Sequence, residues 1–199
     1  ADGRARVAAV PEAVPEPVRV VVDPAYFEAS EVPDYADGVE ENFKHRERTV
    51  VLRTFSKIYG LAGLRVGYGI APPDVVTATS KVRRAFDVTA TAQAAALASI
   101  ANDDEIARRR ALNATGRAAL EATLREHGLE PAGPALGNFV YTEVGDGRAL
   151  FEQLLQQGVI VRPLTGFGAP GAIRVSVGTP EENVIFAAAL GHVLTRVSS

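Results

Sequence analysis

Residues 53–68 have the sequence RTFSKIYGLAGLRVGY, and this stretch is the strongest indication of the fold in the chain. It begins at the end of the apolar run VVL, residues 50–52, whose composition predicts a buried strand. The turn that follows carries four side chains able to bind or react: Thr54, Ser56, Lys57 and, eight positions after the lysine, Arg65. The glycines of the same stretch allow backbone segments to approach closely.

The four polar side chains suit a cofactor that has both an aldehyde and a phosphate. A lysine amine can form a Schiff base with an aldehyde when it is held in place and its free base is accessible. The Arg65 guanidinium is a planar fork that can close on phosphate oxygens with two hydrogen bonds. A single lysine or arginine after a strand is usually a solvated surface residue, but the combination favours a binding site.

A carboxylate follows another apolar run. Residues 18–23 predict a buried strand that ends at Asp23, and Tyr26 comes three positions later. The carboxyl end of a parallel strand is where open α/β sheets bind ligands, so Asp23 is a candidate site residue. The alternative is that Asp23 only caps a turn or a helix.

These two segments together resemble a known family. Asp23-Pro-Ala-Tyr26 followed by Ser56-Lys57 and GLAGLRVGY is similar to the cofactor-lysine signature of fold-type I pyridoxal-phosphate aminotransferases of class I/II. The similarity is closest to the histidinol-phosphate aminotransferase branch. The family pattern usually has Asp-Glu-Ala-Tyr, whereas this chain has Pro24, which keeps Asp23 extended but removes a backbone donor.

The resemblance implies a role for each residue. Lys57 would be the catalytic residue, forming the Schiff base with pyridoxal 5'-phosphate and then moving the substrate proton. Asp23 would keep the pyridine nitrogen protonated, so that the ring can act as an electron sink. Tyr26 would donate to the ring oxygen, and the remaining cofactor-binding residues would be Thr54, Ser56 and Arg65.

The resemblance also implies substrate-binding residues. Arg174 lies in AIRVSVGTPEEN, residues 172–183, which resembles the segment where these enzymes place the arginine that binds the substrate carboxylate. Asn138 matches a family position near that carboxylate, and Arg162 is a weaker candidate. The alternatives are an edge-strand arginine that extends into water and a turn asparagine.

The pattern of apolar and polar residues predicts alternating helices and strands. Predicted helices cover residues 4–14, 34–44, 74–84, 91–102, 103–127, 147–157 and 180–196, and predicted strands cover 18–23, 49–54, 65–71, 139–143, 159–161 and 173–177. Gly128 suits the position after a helix end, and Thr179 with Glu182 forms the sequence of a capping box.

Apolar strands separated by helices predict an α/β fold. With the resemblance, we expect part of a pyridoxal-phosphate transferase large domain, with a mostly parallel sheet and flanking helices, and a small C-terminal α/β domain. Residues 1–84 would form the partial cofactor-binding large domain, 85–127 the connecting helices and 128–199 the small domain.

Composition excludes several classes of function. The formal net charge is −3 with both signs mixed along the chain, which argues against a nucleic-acid surface. Cysteine is absent, so there is no disulfide framework, zinc finger or thiol nucleophile, and no metal is expected. Arg108-Arg109-Arg110 follows acidic residues on a predicted helix and is interpreted as a solvated, self-compensated face. Without a long apolar stretch or a signal-peptide pattern, we expect a cytoplasmic protein with no membrane partner.

The resemblance covers essentially all of this chain but only the second half of family members, so the chain is interpreted as a C-terminal half. The expected function is transamination between an amino acid or amino-alcohol phosphate, with histidinol phosphate closest, and 2-oxoglutarate. The small-molecule donor and the 2-oxo acid acceptor would be the partners, in histidine biosynthesis, with a homodimer at full length. The alternatives are an aromatic amino-acid aminotransferase, a related pyridoxal lyase or decarboxylase, and a non-catalytic aminotransferase-fold fragment or regulator module.

Overall fold

The computed structural model describes residues 3–30, 32–33, 35–40 and 47–197. The chain forms two compact units, residues 1–109 and 110–199. The boundary falls within the segment 85–127, which the sequence predicts to be connecting helices, and the three-part division itself stays a prediction. Each unit combines helices with a sheet, so the predicted α/β class is confirmed.

The first unit contains a three-stranded sheet in the order β1-β2-β3: β1 Val20–Val22, β2 Thr49–Thr54 and β3 Gly67–Ile70. Strands β1 and β2 are parallel, with Val21 opposite Val50. Strands β2 and β3 are antiparallel, with Arg53 opposite Tyr68. The end of β2 therefore leads directly into the turn with Lys57, and the end of β1 leads into Asp23.

Strand β3 differs from the expectation of an apolar strand covered on both faces, because all four of its residues are exposed. Gly67 and Gly69 have no side chain to bury, and β3 has only one neighbour in the described sheet. The close approach expected from the glycines is present at Gly67. A Cβ atom there would lie 2.7 Å from the carbonyl oxygen of Arg53, which excludes any larger residue without movement of the backbone.

The helices of the first unit are α1 Gly3–Ala13, α2 Pro73–Val82 and α3 Ala90–Ile100, and α4 Asp103–Glu126 begins there. Helix α3 is capped by the preceding Thr89, whose hydroxyl accepts a hydrogen bond from the amide of Ala92 at 3.1 Å. Its small residues Ala92 and Ala96 are buried in a cluster with Phe55 and Val66. The alanines of α3 thus let it approach the segment around Lys57 closely.

A helix was predicted at residues 34–44. Within the described part of that range, 35–40, the backbone forms bends and turns instead of a helix. Gly38 lies there with a φ of +84°, a conformation that interrupts a right-handed helix. The rest of the predicted helix lies outside the described residues.

The second unit contains a sheet in the order β4-β6-β5: β4 Phe139–Glu143, β5 Arg162–Pro163 and β6 Ala172–Ser176. Both pairings are antiparallel. One face of the sheet packs on α4, α5 Gly147–Gln156 and α6 Pro180–Val197 around an apolar core. Its fully buried members are Leu120, Leu124, Val140, Leu154, Ile173 and Leu190. Because side chains alternate along a strand, the opposite face presents Tyr141 and Arg174.

One strand of the second unit lies later than predicted. The predicted strand 159–161 is not a strand, and β5 instead pairs Arg162 and Pro163 with β6. The apolar residues 159–161 still contribute Val161 to the core, so the apolar pattern indicated burial correctly but not sheet pairing.

The predicted helix ends are confirmed: Gly128 has a φ of +73° after α4. At the start of α6 the Thr179 amide donates to Glu182 Oε2 at 2.7 Å, and the Glu182 amide donates to Thr179 Oγ1 at 3.3 Å.

Candidate active site

The turn that carries Lys57 is anchored by Phe55. The Phe55 side chain is 3% exposed, and its ring contacts those of Tyr59 and Tyr68, with centroids 5.0 and 5.9 Å away. The Phe55 backbone is fixed on both sides, because its amide donates to Val66 O at 3.3 Å and its carbonyl accepts from the Leu61 amide at 2.9 Å. With Phe55 buried, Lys57 lies on the exposed side of the turn.

Lys57 lies against Tyr26. Its side chain is exposed, and its Nζ atom is 4.9 Å from the centroid of the Tyr26 ring. This distance permits a cation–π interaction, which orients the amine without covering it. The Lys57 carbonyl accepts a hydrogen bond from the Gly60 amide at 2.9 Å, which closes the turn. The structure therefore brings together Lys57 and Tyr26, two of the predicted site residues from different segments.

The predicted hydroxyls lie immediately before Lys57. Thr54 ends β2, and its Oγ1 accepts a hydrogen bond from the Ser56 amide at 3.1 Å, so both residues are held in one local turn. Both side chains are half-buried. Within the described residues no charged side chain is hydrogen-bonded to either hydroxyl, so both can bind an anion that reaches the turn.

Arg65 lies at the end of a short helical turn, Ala62–Leu64, in the left-handed conformation with φ 51° and ψ 50°. Its Nη1 donates to the carbonyl of Ala62 at 2.8 Å, and the side chain is otherwise exposed. A left-handed backbone is costly for a residue other than glycine, and such strain is concentrated at functional sites. Arg65 thus follows the Lys57 turn in the sequence, and its guanidinium is hydrogen-bonded to the Ala62 carbonyl. Its assignment to phosphate binding stays a prediction.

Asp23 follows β1 and is exposed. Its electrostatic influence reaches Tyr35: the pKa of the Tyr35 hydroxyl is raised, mainly because the ring is partly buried and also because Tyr26, Glu28 and Asp23 lie near it. A hydrogen bond to the backbone of Tyr26 acts in the opposite direction. Tyr35 was not among the predicted residues, since nothing in the sequence between residues 23 and 57 marks it.

Arg53 fixes the segment after Asp23 to the strand before Lys57. The side chain is 6% exposed and forms ion pairs with Asp37 and, at 3.8 Å, with Glu28. One nitrogen also donates to the Asp37 carbonyl at 3.0 Å, and the guanidinium lies 4.4 Å from the Phe27 ring centroid. A buried arginine needs such partners, because an unpaired charge in the interior is very unfavourable.

The second unit presents a cationic face that includes Arg174. Arg174 on β6 lies opposite Arg162 on β5 and opposite Tyr141 on β4, so the three side chains share one face of the sheet. The Arg174 guanidinium lies 4.9 Å from the Phe139 ring centroid, and its Nε is buried without a hydrogen-bond partner. Like charges directly opposite each other destabilise a sheet, so this pair favours an anion as its partner.

The neighbouring acid on this face does not neutralise the arginines. Glu143 accepts a hydrogen bond from the Tyr141 hydroxyl, and this bond raises the pKa of Tyr141. Within the part of the chain that the structure describes, neither Arg162 nor Arg174 forms an ion pair with an acidic side chain. Two guanidinium groups therefore remain available to a carboxylate or phosphate.

Asn138 is held in place through its backbone. Its carbonyl accepts from the Val177 amide at 2.9 Å, three residues after Arg174. The preceding carbonyl, that of Gly137, accepts from Asn113 Nδ2 at 3.1 Å and from Arg117 Nη1 at 2.9 Å. The Asn138 side chain is exposed, and its assignment to substrate binding stays a prediction.

The interpretation of the three consecutive arginines as one solvated face was wrong for Arg109. Arg108 pairs with Glu105 on the surface of α4, as expected. Arg109, however, also donates its Nη1 to the carbonyl of Ile58 at 2.8 Å, inside the turn that follows Lys57. A contact between residues so distant in sequence leaves no local signal.

The described residues contain neither a metal-binding cluster nor a membrane-spanning helix. Among residues 3–30, 32–33, 35–40 and 47–197, no group of His, Asp and Glu side chains is arranged to hold a metal ion. Over the same described ranges, none of the helices has the length and apolar character needed to cross a membrane.

Comparison with known proteins gives a consistent result. Histidinol-phosphate aminotransferase 2 of Pseudomonas fluorescens is 45% identical over 184 residues, which are 92% of this chain and 49% of the relative. Histidinol-phosphate aminotransferase of Akkermansia muciniphila is 46% identical over 182 residues, 91% of this chain and 49% of the relative. The chain thus spans about half the length of these curated relatives.

A solved structure agrees with these sequences. The crystal structure of histidinol-phosphate aminotransferase from Sinorhizobium meliloti, in complex with pyridoxal-5'-phosphate, has 30% sequence identity and a TM-score of 0.88. The similarity covers 98% of this chain and 53% of that one. The sequence pattern of the family described as Aminotransferase class I and II matches residues 5–190, and the chain therefore belongs to this family.

Proposed function

We propose that this chain is the part of a pyridoxal-phosphate-dependent aminotransferase that carries the cofactor lysine and the anion-binding arginines. The reaction would exchange an amino group between histidinol phosphate and 2-oxoglutarate, as in histidine biosynthesis. The observation that carries the proposal is the exposed Lys57 amine, on a turn anchored by buried Phe55, with the Tyr26 ring 4.9 Å away. The relatives' names support the choice of donor.

The residues present fit pyridoxal 5'-phosphate. The donor set of the first unit contains an amine, two hydroxyls, a guanidinium, a phenol and a carboxylate, from Lys57, Thr54, Ser56, Arg65, Tyr26 and Asp23. Gly67, where a Cβ atom would collide with backbone 2.7 Å away, keeps the strand beside this turn tightly packed. An aldehyde, a phosphate, a ring oxygen and a ring nitrogen each find a matching group in this set.

When bound, the cofactor would supply an aldehyde carbon that takes up the amino group and a ring that withdraws electrons from the donor's α-carbon. Lys57 would bind the aldehyde carbon and, when displaced by the donor, would take the proton from the α-carbon with its free amine. Asp23 would hold a proton on the ring nitrogen. Tyr26 would donate its hydroxyl to the ring oxygen and keep the Lys57 amine oriented.

Arg174 and Arg162 would bind the anionic group of each substrate. Histidinol phosphate presents a phosphate and 2-oxoglutarate presents carboxylates, and two adjacent guanidinium groups can accept either. A phosphate carries more charge than a carboxylate. The opposed pair of arginines therefore favours histidinol phosphate over an aromatic amino acid, which is the alternative donor.

The experiment that tests this function follows the amino nitrogen. The protein, supplied with pyridoxal phosphate, is given ¹⁵N-labelled histidinol phosphate and 2-oxoglutarate, and ¹⁵N-glutamate is measured by mass spectrometry. We expect transfer from histidinol phosphate to exceed transfer from ¹⁵N-phenylalanine, and Lys57→Ala to abolish both. Equal or greater transfer from phenylalanine would favour the aromatic enzyme, and no transfer from either donor would contradict the proposal.

Assembly and location follow from the same proposal. We expect the complete protein to act as a homodimer on small-molecule amino donors and 2-oxo acids, in the cytoplasm.

A further inference from the structure

Arg109 reaches the turn of Lys57 from the first turns of α4. Its Nη1 donates to the Ile58 carbonyl at 2.8 Å, and its Nε donates to Glu105 Oε1 at 2.7 Å. The guanidinium is thus fixed at one end by an acid on its own helix and at the other by the residue that follows Lys57. The Arg109 side chain is 35% exposed, so it is only partly solvated.

The turn is shaped to receive this guanidinium. Gly60 has a φ of +72°, and a Cβ atom at that position would lie 2.5 Å from Arg109 Nη1. Any side chain there would displace the arginine from the Ile58 carbonyl. The Gly60 amide closes the turn on the Lys57 carbonyl at 2.9 Å, so the same four residues contain both the lysine and the contact with Arg109.

Glu105 keeps Arg109 in this place over a wide pH range. Hydrogen bonds from Arg108 and from Arg109 lower the pKa of Glu105 to about 2, so the carboxylate stays charged far below neutral pH. Arg108 shares the acid, with nitrogen to oxygen distances of 2.6 and 2.8 Å, and among the described residues its hydrogen bonds go to Glu105 alone. Only Arg109 of the pair joins the helix to the Lys57 turn.

We propose that Arg109 is a positioning residue, which holds the turn at residues 57–60 and so fixes the place of the Lys57 amine. The inference rests on the proposed function in one respect, because it gives Lys57 its chemical role. The contact between Arg109 and the Ile58 carbonyl, here called the clamp, involves the turn alone and does not depend on the cofactor. It predicts that loss of Arg109 loosens the turn without unfolding the unit, and that cofactor capture by Lys57 falls for this reason.

The test compares Arg109→Gln with Arg108→Gln, which removes the same charge and a partner of the same acid but leaves the Ile58 contact. Without cofactor, native protein is digested with endoproteinase Lys-C, and cleavage after Lys57 is measured relative to cleavage after Lys81 in α2. With pyridoxal phosphate, borohydride fixation on Lys57 is measured as a function of cofactor concentration. Urea unfolding of each variant reports overall stability.

We expect cleavage after Lys57 to be about tenfold faster in Arg109→Gln, the size of effect when one hydrogen bond from a charged donor is lost. The rate after Lys81 should be unchanged, Arg108→Gln should stay within about twofold of the parent, and Arg109→Lys should recover part of the protection. The cofactor concentration for half fixation should rise several-fold in Arg109→Gln only.

Equal rates of cleavage after Lys57 in the two glutamine variants would overturn the clamp. So would faster cleavage after Lys57 and Lys81 together, because that result indicates general unfolding. Faster cleavage with unchanged fixation would overturn the role in positioning Lys57. If the parent fixes no cofactor on Lys57, the proposed function fails, and the proteolysis result still decides whether Arg109 holds the turn.

Discussion

Replacing Arg53 should destabilise the first unit strongly. Arg53→Met keeps an unbranched side chain of similar length but removes the charge from a side chain that is 6% exposed. Its acidic partners, Asp37 and Glu28, keep only 23% and 15% of their side-chain area exposed. Removing one partner of a buried ion pair costs about 3–5 kcal/mol, because the remaining charge loses its compensation.

We expect the lower end of that range, about 3 kcal/mol, since both acids retain some contact with water. Loss of the interaction with the Phe27 ring, 4.4 Å from the guanidinium, adds to this cost. The assay is urea unfolding followed by circular dichroism, with hydrogen exchange of the β2 amides to assign the change to the first unit. Arg53→Met combined with Asp37→Asn should recover part of the loss, because the uncompensated carboxylate is gone.

The matched control is Arg84→Met. Arg84 pairs with Asp87 at 3.2 Å, but its side chain is 91% exposed, so the same substitution should cost less than about 1 kcal/mol. If Arg53→Met costs no more than Arg84→Met, then burial does not determine the importance of this pair. The view that Arg53 fixes the segment after Asp23 would be wrong.

Three further perturbations have defined outcomes. Thr179→Ala removes the acceptor of the Glu182 amide at the start of α6 and should cost about 1 kcal/mol in thermal unfolding, whereas an unchanged melting temperature would contradict the capping role. Arg174→Lys should raise KM for histidinol phosphate and 2-oxoglutarate alike, by roughly tenfold, because an ammonium cannot form the two-pronged contact; unaltered saturation by both would exclude Arg174 from substrate binding. The lowered pKa of Glu105 means that its charge stabilises the folded state above the ordinary carboxyl pKa of 4.5 and that this contribution is lost as pH falls from 4.5 toward about 2. Glu105→Gln should therefore lose less stability than the parent between pH 5 and pH 3 in urea unfolding, and identical losses would refute this.

Local pattern was sufficient for the elements whose signals are local. The strands Thr49–Thr54 and Phe139–Glu143 lie where the sequence predicts them, because short runs rich in β-branched and aromatic residues favour a strand. The capping box of α6 was equally predictable, since its two hydrogen bonds join residues three positions apart.

Pairing between distant segments was not predictable. Strand β6 pairs with Arg162–Pro163 and not with the apolar residues 159–161 just before them. The apolar pattern alone cannot decide which of two adjacent segments pairs with a distant strand. The exposure of β3 likewise depends on what lies beside it. The first error concerns the position of a strand and the second concerns the surroundings of a strand, and in both regions the sequence predicts a strand close to the observed one.

The site shows the same division. The sequence predicts that Lys57 and Tyr26 serve one site, and in the structure the Lys57 Nζ atom lies 4.9 Å from the centroid of the Tyr26 ring. The residues that support them were missed: Phe55 and Arg53 are ordinary members of a strand and its turn, and Arg109 is 51 positions away from Ile58. Such supporting contacts are set by the tertiary fold and leave no spacing in the sequence.

The most direct test of the central claim is to find which lysine binds the cofactor. The protein is incubated with pyridoxal phosphate and reduced with borohydride, which converts a bond between a lysine amine and the aldehyde carbon into a stable secondary amine, and its peptides are mapped by mass spectrometry. We expect the label on Lys57, at cofactor concentrations where Lys81 on α2 stays unmodified. Label on Lys44 or Lys81 in place of Lys57, or equal label on all of them, would contradict the account.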